Sequence, residues 1–213
     1  MNADVVVLDY EMSNLRSAVK ALERLGATVR VIRGPEGVGA ADAVVLPGVG
    51  HFGEAMRRIR GQGLDDAVLG AVDRGVPVLG ICLGMQLLFE ESEEAPGVAG
   101  LGVLPGTVRR LRTERKLPHI GWSRVAWSPG SGLGPGPGEG GDSTYYFVHT
   151  FGCEPDDPAL VLGRAEHGVA FCAAAGRPGL QGVQFHPEKS SAAGLGLLGR
   201  WLAGVRAARP AAA

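Results

Sequence analysis

The sequence has little cysteine, no long hydrophobic run and almost no net charge, and each shortage removes a class of function. Three cysteines, Cys82, Cys153 and Cys172, stand far apart in 213 residues, with no Cys-x-x-Cys pair. An odd, dispersed set builds no disulfide framework and suits a reducing compartment, so a cytoplasmic protein is expected. No apolar stretch reaches the roughly 18 residues of a membrane span. The opening MNADVVVLDY lacks the basic start and apolar length of a signal peptide. A net charge of −1 gives no electrostatic reason to bind nucleic acid or an anionic membrane. What is present is ordinary for a globular protein: 45% hydrophobic and 20% charged residues. With no internal repeat and no dividing linker, one domain over residues 1–213 is expected.

The first half alternates regularly. Residues 5–8 form a β-branched run ending at Asp9. Ser13 can then cap a helix carrying Leu15, Ala18, Val19, Leu22 and Leu25 at helical spacing, stopped by Gly26. Val29, Val31 and Ile32 predict a second strand and residues 43–46 a third. The loop PGVGHFG leads into a helix with Phe52, Ala55, Met56 and Ile59 on one face. Another helix is expected around residues 67–72, then an apolar strand over 76–81. Apolar strands separated by amphipathic helices predict an α/β fold, with a mostly parallel sheet and helices on both faces. Beyond the acidic run EESEE, short strands at 107–111, 123–127, 145–150 and 180–185 predict an added antiparallel region in the second half. Residues 128–142, SPGSGLGPGPGEGGD, contain ten Gly or Pro in 15 without phosphate-loop spacing, and so predict a flexible surface loop. A final helix carries Leu195, Leu198, Leu202 and Val205.

VLGICLGMQLLF places Cys82 where a buried strand gives way to a helix, between Gly80 and Gly84. G-x-C-x-G is the thiol counterpart of the serine nucleophile elbow, whose sharp turn crowds any neighbouring Cβ. A helix N-terminus favours negative charge and hence a thiolate over the free thiol. The N–H of Leu83 is left to bond an oxyanion. On this motif alone, a buried structural cysteine explains the residue as well. A thiolate that expels a poor leaving group also needs a proton donor and something to orient it. GVQFHPEKS puts His186 at the end of an apolar strand with Glu188 two residues on. In an extended chain these face the same way, and Pro187 biases His186 toward that conformation. His51, His119, His149 and His167 have no carboxylate two positions on and read as structural. Cys82 and His186 both follow strands of the expected parallel sheet, whose carboxyl ends carry functional residues. Zinc on Cys82, His186 and Glu188 is the rival chemistry, but the close ligand pairs and fourth ligand of structural sites are missing. No metal and no cofactor are expected.

GICLGMQ followed about a hundred positions later by FHPE resembles the class I, or triad, glutamine amidotransferases. LPGVGHFGEAM, GICLGMQLLFEESEEAPGV, PHIGW, YYFVHTF and QFHPEKS are similar to one branch, the glutaminase subunits of imidazole glycerol phosphate synthase. Met85 after CLG and Lys189 after HPE favour that branch over relatives that usually carry His and Ser there. The resemblance implies that Cys82 attacks the glutamine carboxamide to give a thioester. His186 moves the protons and Glu188 fixes its tautomer. It implies an oxyanion hole from backbone N–H groups of Gly48, Val49 and Leu83. Glutamine would be bound by Gly50, Gln86, Glu94, Thr150 and Phe151.

The same resemblance implies a heterodimer with a (β/α)8-barrel cyclase subunit. The barrel would use the ammonia to make imidazole glycerol phosphate and aminoimidazole carboxamide ribotide in histidine biosynthesis. Asn14, Trp122, Tyr146 and Lys189 are implied at the partner surface. Glu11 and Ser13 stand where the branch commonly has glycine, Ser123 where it has Asn, and Phe151 where Tyr is frequent. The alternatives are a glutaminase subunit of another synthase, a hydrolase or deglycase built on a similar elbow, and a non-catalytic regulatory module.

Overall fold

The computed structural model describes residues 2–12, 15–135 and 143–208. Ser13 and Asn14, expected as a helix cap and a partner contact, lie outside them. The first half runs β1 (Asp4–Leu8), α1 (Leu15–Arg24), β2 (Thr28–Ile32), β3 (Ala43–Gly48), α2 (Phe52–Gly61), α3 (Leu64–Asp73), β4 (Val78–Cys82) and α4 (Leu83–Leu87). The second half is mostly strand: β5 (Glu91–Ser92), β6 (Gly106–Arg110), β7 (His119–Arg124), β8 (Ala126–Trp127), β9 (Thr144–His149), β10 (Phe151–Pro155), β11 (Val161–Glu166), β12 (Ala170–Arg177) and β13 (Leu180–Val183). Helix α5 (Ser191–Ala208) closes the described chain.

The main sheet has the order β2-β1-β3-β4-β13-β12-β10-β6-β5, with β11 and β8 continuing from β12. Strands β2, β1, β3, β4 and β13 are parallel, and β12 turns the sheet antiparallel. Alternation along each strand feeds two cores. Val6 and Leu8 pack on the side of α2 and α3, with Phe52, Met56 and Ile59, while Val5 and Val7 face α1 and α5 with Leu22, Leu197 and Leu202. Val44, Val45 and Leu46 of β3 are fully buried, each worth roughly 1.5–3 kcal/mol of apolar burial. Strand β3 is therefore well anchored where it delivers its last residue, Gly48, opposite Cys82 on β4.

Three expectations are corrected. The strand over 123–127 divides: β7 begins earlier, at His119, and the chain re-forms as β8 after Val125, which turns inward and is 2% exposed. Strands β10, β11 and β12 have no counterpart in the sequence reading. The described part of the Gly/Pro-rich stretch is packed rather than free, because Leu133 is fully buried and its carbonyl accepts Arg200 Nε–H at 2.9 Å. Strands β7 and β9 form a separate antiparallel ribbon. Its inward face carries His119, Tyr145, Phe147 and His149, and its outward face exposes Ile120 and Trp122.

Candidate active site

Cys82 ends β4 with φ 55° and ψ −111°, a left-handed conformation uncommon for a residue with a side chain. Such a conformation costs about 1–3 kcal/mol and persists only where its surroundings enforce it. Enforcement comes from crowding. A Cβ on Gly80 would lie 2.7 Å from the Gly84 carbonyl oxygen, and one on Gly84 would overlap the Leu46 carbonyl. The expected elbow is present, but α4 is only five residues long. The sharp turn, more than a long helix dipole, therefore distinguishes the site.

His186 Nδ1 donates to Glu188 Oε1 at 2.8 Å, and both side chains are buried. The pairing arises differently from the expected extended alternation. His186 is extended (φ −103°, ψ 94°), but residues Pro187–Lys189 form a 3₁₀ turn that folds Glu188 back. Ser190 clamps that turn: its hydroxyl donates to the His186 carbonyl at 2.6 Å and accepts Tyr146 N–H at 3.0 Å. Among the described residues His186 Nε2 has no hydrogen-bond partner, and Cys82 is close enough to act on the ring. Burial disfavours the imidazolium, yet Cys82 and Glu188 outweigh it and raise the His186 pKa to about 9.

A cavity of about 330 Å³ opens beside Cys82. Gly50, Gln86, Glu94, Thr150 and Phe151, the five expected glutamine contacts, all line it, as do Val49 and Leu83. Gly48 is buried behind it, where an added Cβ would overlap the Tyr10 hydroxyl. Glu94 Oε2 accepts the Phe52 N–H at 2.7 Å, tying the pocket to the first turn of α2. The Val49 N–H, an expected oxyanion donor, instead donates to the Met12 carbonyl at 2.9 Å. A second groove, of about 420 Å³, lies between β6, β10, β11 and β12 and is lined by none of Cys82, His186 and Glu188. It holds Cys153 and Cys172, whose thiols burial pushes up, Cys172 to about 12.

The sequence reading missed a polar line behind the pocket. Gln86 Nε2 donates to the Phe151 carbonyl at 3.1 Å and to Gln184 Oε1 at 3.0 Å, and Gln184 Nε2 donates to Cys82 Sγ at 3.7 Å. His149 Nδ1 also bonds the Phe151 carbonyl, at 2.8 Å, while its Nε2 meets His119 Nδ1 at 3.1 Å and His119 Nε2 meets Ser123 Oγ at 3.0 Å. Burial lowers His119 to about 4 and His149 to about 3, so both rings are neutral at pH 7. The signal for Gln184 was available: it lies two residues before His186 in an apolar run, on the same face of an extended chain.

Trp122 is 53% exposed and meets the Tyr146 ring edge-on at 5.9 Å across the β7–β9 ribbon. Lys189, next in the chain after Glu188, is exposed. Glu11 keeps a glycine-like φ of 64° and pairs with Arg58 at 3.1 Å. Among the described residues, no three His, Cys, Asp or Glu side chains are grouped to hold a metal ion, and no helix is long and apolar enough to cross a membrane.

The family model for glutamine amidotransferase class-I matches residues 6–198. The chain belongs to the class I glutamine amidotransferases. Within that family the amidotransferase falls in the HisH group. It is 47% identical over 198 residues to imidazole glycerol phosphate synthase subunit HisH of Herpetosiphon aurantiacus, covering 93% of both chains. It is 42% identical over 203 residues to HisH of Methanothermobacter thermautotrophicus, covering 95% of this chain and all of the other. A solved glutamine amidotransferase superposes with a TM-score of 0.72 at 23% identity, covering 93% of this chain and 98% of that one. PurLQS from Thermotoga maritima does so with 0.76 at 19%, covering 97% and 99%. Both share the fold.

Proposed function

We propose that Cys82, His186 and Glu188 are the triad by which this HisH-type glutaminase subunit of imidazole glycerol phosphate synthase hydrolyses L-glutamine to L-glutamate and ammonia. The reading rests on the buried His186–Glu188 pair, whose 2.8 Å bond leaves Nε2 for Cys82. The Cys82 thiol passes its proton to His186 Nε2, its sulfur attacks the carboxamide carbon, and the carbonyl electrons move onto oxygen. His186 protonates the departing nitrogen, ammonia leaves, and a glutamyl thioester remains. His186 then takes a proton from water, which attacks the thioester and releases glutamate with the thiol restored. Both Gln86 N–H groups are engaged by Phe151 and Gln184, so its carbonyl oxygen is the group left to accept an N–H of glutamine. Glu94 lines the same cavity and pairs with the substrate α-ammonium.

The oxyanion takes the Leu83 N–H and, after a change in the Gly48–Gly50 loop, the Val49 N–H. With Val49 bonded to Met12, one donor is missing, which costs on the order of a hundred- to a thousandfold in rate. The (β/α)8-barrel cyclase subunit is the proposed partner. It docks around Trp122, Tyr146 and Lys189, with Asn14 nearby in sequence to the loop's Met12 anchor, and releases that bond when loaded with its nucleotide. Residues 1–213 act as one amidotransferase domain in this reading, and the cytoplasm is its proposed location. The test is glutamate release by the purified chain with and without the barrel and its nucleotide. Slow turnover alone and a large rise in the loaded complex are expected. Turnover that survives Cys82→Ala would overturn the triad.

A further inference from the structure

We propose that Gln184 is a positioning residue that holds the sulfur of Cys82 with one end of its amide and aims Gln86 with the other. The proposal rests on the reading of Cys82 as the nucleophile. Gln184 follows β13 directly, is 0% exposed, and has its backbone N–H bonded to the Ala173 carbonyl at 2.9 Å. A buried primary amide is costly unless its polar atoms find partners, so one kept inside an apolar sheet has a job that an apolar residue would not do.

The direction of every bond here follows from one atom. The Phe151 carbonyl can only accept, so the group that Gln86 presents to it at 3.1 Å is its NH₂. The second N–H of that NH₂ then requires an acceptor, and Gln184 Oε1 is it, at 3.0 Å. The Gln184 NH₂ is thereby turned to the opposite side, where Cys82 Sγ lies at 3.7 Å. His149 Nδ1 donates to the same carbonyl, so its neutral ring accepts from His119, which in turn accepts from the Ser123 hydroxyl. Neither glutamine amide can flip without breaking a bond to a group that cannot reverse its role.

Two consequences follow for the reaction. An N–H aimed at sulfur is worth more to an anion than to a neutral thiol, because hydrogen bonds to charged groups are the stronger ones. It also restrains the sulfur at the crowded elbow, where His186 must reach it. At its other end, Gln184 leaves the Gln86 carbonyl oxygen free for the ligand. One residue therefore sets both the nucleophile and a substrate contact.

The two ends can be separated. Gln184→Glu keeps an acceptor for Gln86 but has no N–H for the sulfur, whereas Gln184→Met loses both ends at similar size. With the barrel subunit present, Gln184→Glu should lower kcat for glutamate release about ten- to a hundredfold with KM within about threefold of wild type. Gln184→Met should lower kcat similarly and also raise KM. Alkylation of Cys82 by iodoacetamide, which needs no glutamine contact, should slow about tenfold in both. Melting curves and complex formation identify any variant that fails to fold, in which case the other decides. Wild-type kcat and alkylation in a folded variant would overturn the role of Gln184 while leaving the triad intact. Wild-type turnover in Cys82→Ala would instead overturn the reading beneath it.

Discussion

Replacing Glu188 with Gln tests the charge behind the proposed triad in two independent ways. Glu188 Oε1 accepts from His186 Nδ1 at 2.8 Å, and the two side chains are 6% and 3% exposed. Against the burial that disfavours it, the imidazolium is held by Cys82 and Glu188, and the His186 pKa is raised from 6.5 to about 9. A folded-state pKa above the unfolded one stabilises the fold fully below about pH 6.5, and that contribution is lost as pH rises through about 9. At about 1.4 kcal/mol per unit, the whole window is worth about 3 kcal/mol, shared between the two partners. Removing the Glu188 share should take away about 1–2 kcal/mol, a few degrees of melting temperature for a domain of this size. The assay is the melting temperature of wild type and Glu188→Gln from pH 6 to 9.5. The wild-type curve should fall more steeply between pH 6.5 and 9. The second readout is turnover: an amide can turn its NH₂ to Nδ1 and impose the wrong tautomer, with an expected loss in kcat of about a thousand- to ten-thousandfold. Parallel melting curves together with undiminished turnover would refute the reasoning.

Cys82→Ala should abolish glutamine hydrolysis, by at least about ten-thousandfold, and leave the melting temperature and partner binding nearly unchanged. A diazo-ketone analogue of glutamine should label Cys82 and spare Cys153 and Cys172, whose buried thiols are pushed up; equal labelling of all three counts against an activated nucleophile. Gly50 has φ 107° and an added Cβ would lie 2.8 Å from Met12 Cε, so Gly50→Val should blunt the partner-induced rise in turnover at least tenfold and weaken glutamine binding less, as read from kcat and KM with and without the barrel. Trp122→Ala should weaken complex formation by about 2 kcal/mol or more, measured by calorimetry, while inhibitor labelling of Cys82 survives. His149 is lowered to about 3, so the folded state loses stability as pH falls from about 6.5 toward 3; His149→Asn should flatten that part of a urea-midpoint profile, and an unchanged acid limb would contradict it.

The parts of the molecule readable from sequence are those where a local pattern agrees with the tertiary fold. The β-branched runs of β1 and β3, the apolar faces of α1, α2 and α5, and the glycines around Cys82 each carry their own signal. His186 and Glu188 were legible as a pair, though a 3₁₀ turn joins them. AFCAAAGR, which becomes β12, contains no β-branched residue and is rich in alanine, a helix former. It is a strand because β11 and β13 pair on either side of it, a constraint absent from its own residues. FGCEP in β10 is likewise held by β6. Leu133 disappears into a Gly/Pro-rich stretch because its burial is decided by Arg200 and the final helix. Gln86 and Glu94 were placed through family resemblance, since neither their spacing nor their composition distinguishes them from surface polar residues.

The register between β3 and β4 has a consequence for how much change this protein can absorb. Gly48 and Cys82 are direct partners on neighbouring strands, and Val183, three residues before His186, is the partner of Ile81. The separation between the Gly48–Gly50 loop, Cys82 and His186 is therefore measured out by backbone hydrogen bonds, which substitutions on the outer surface do not alter. A change at exposed Glu11 leaves the spacing of Gly48, Cys82 and His186 as it is. Changes on the outer surface can therefore alter what the protein binds without resetting the spacing of Cys82 and His186.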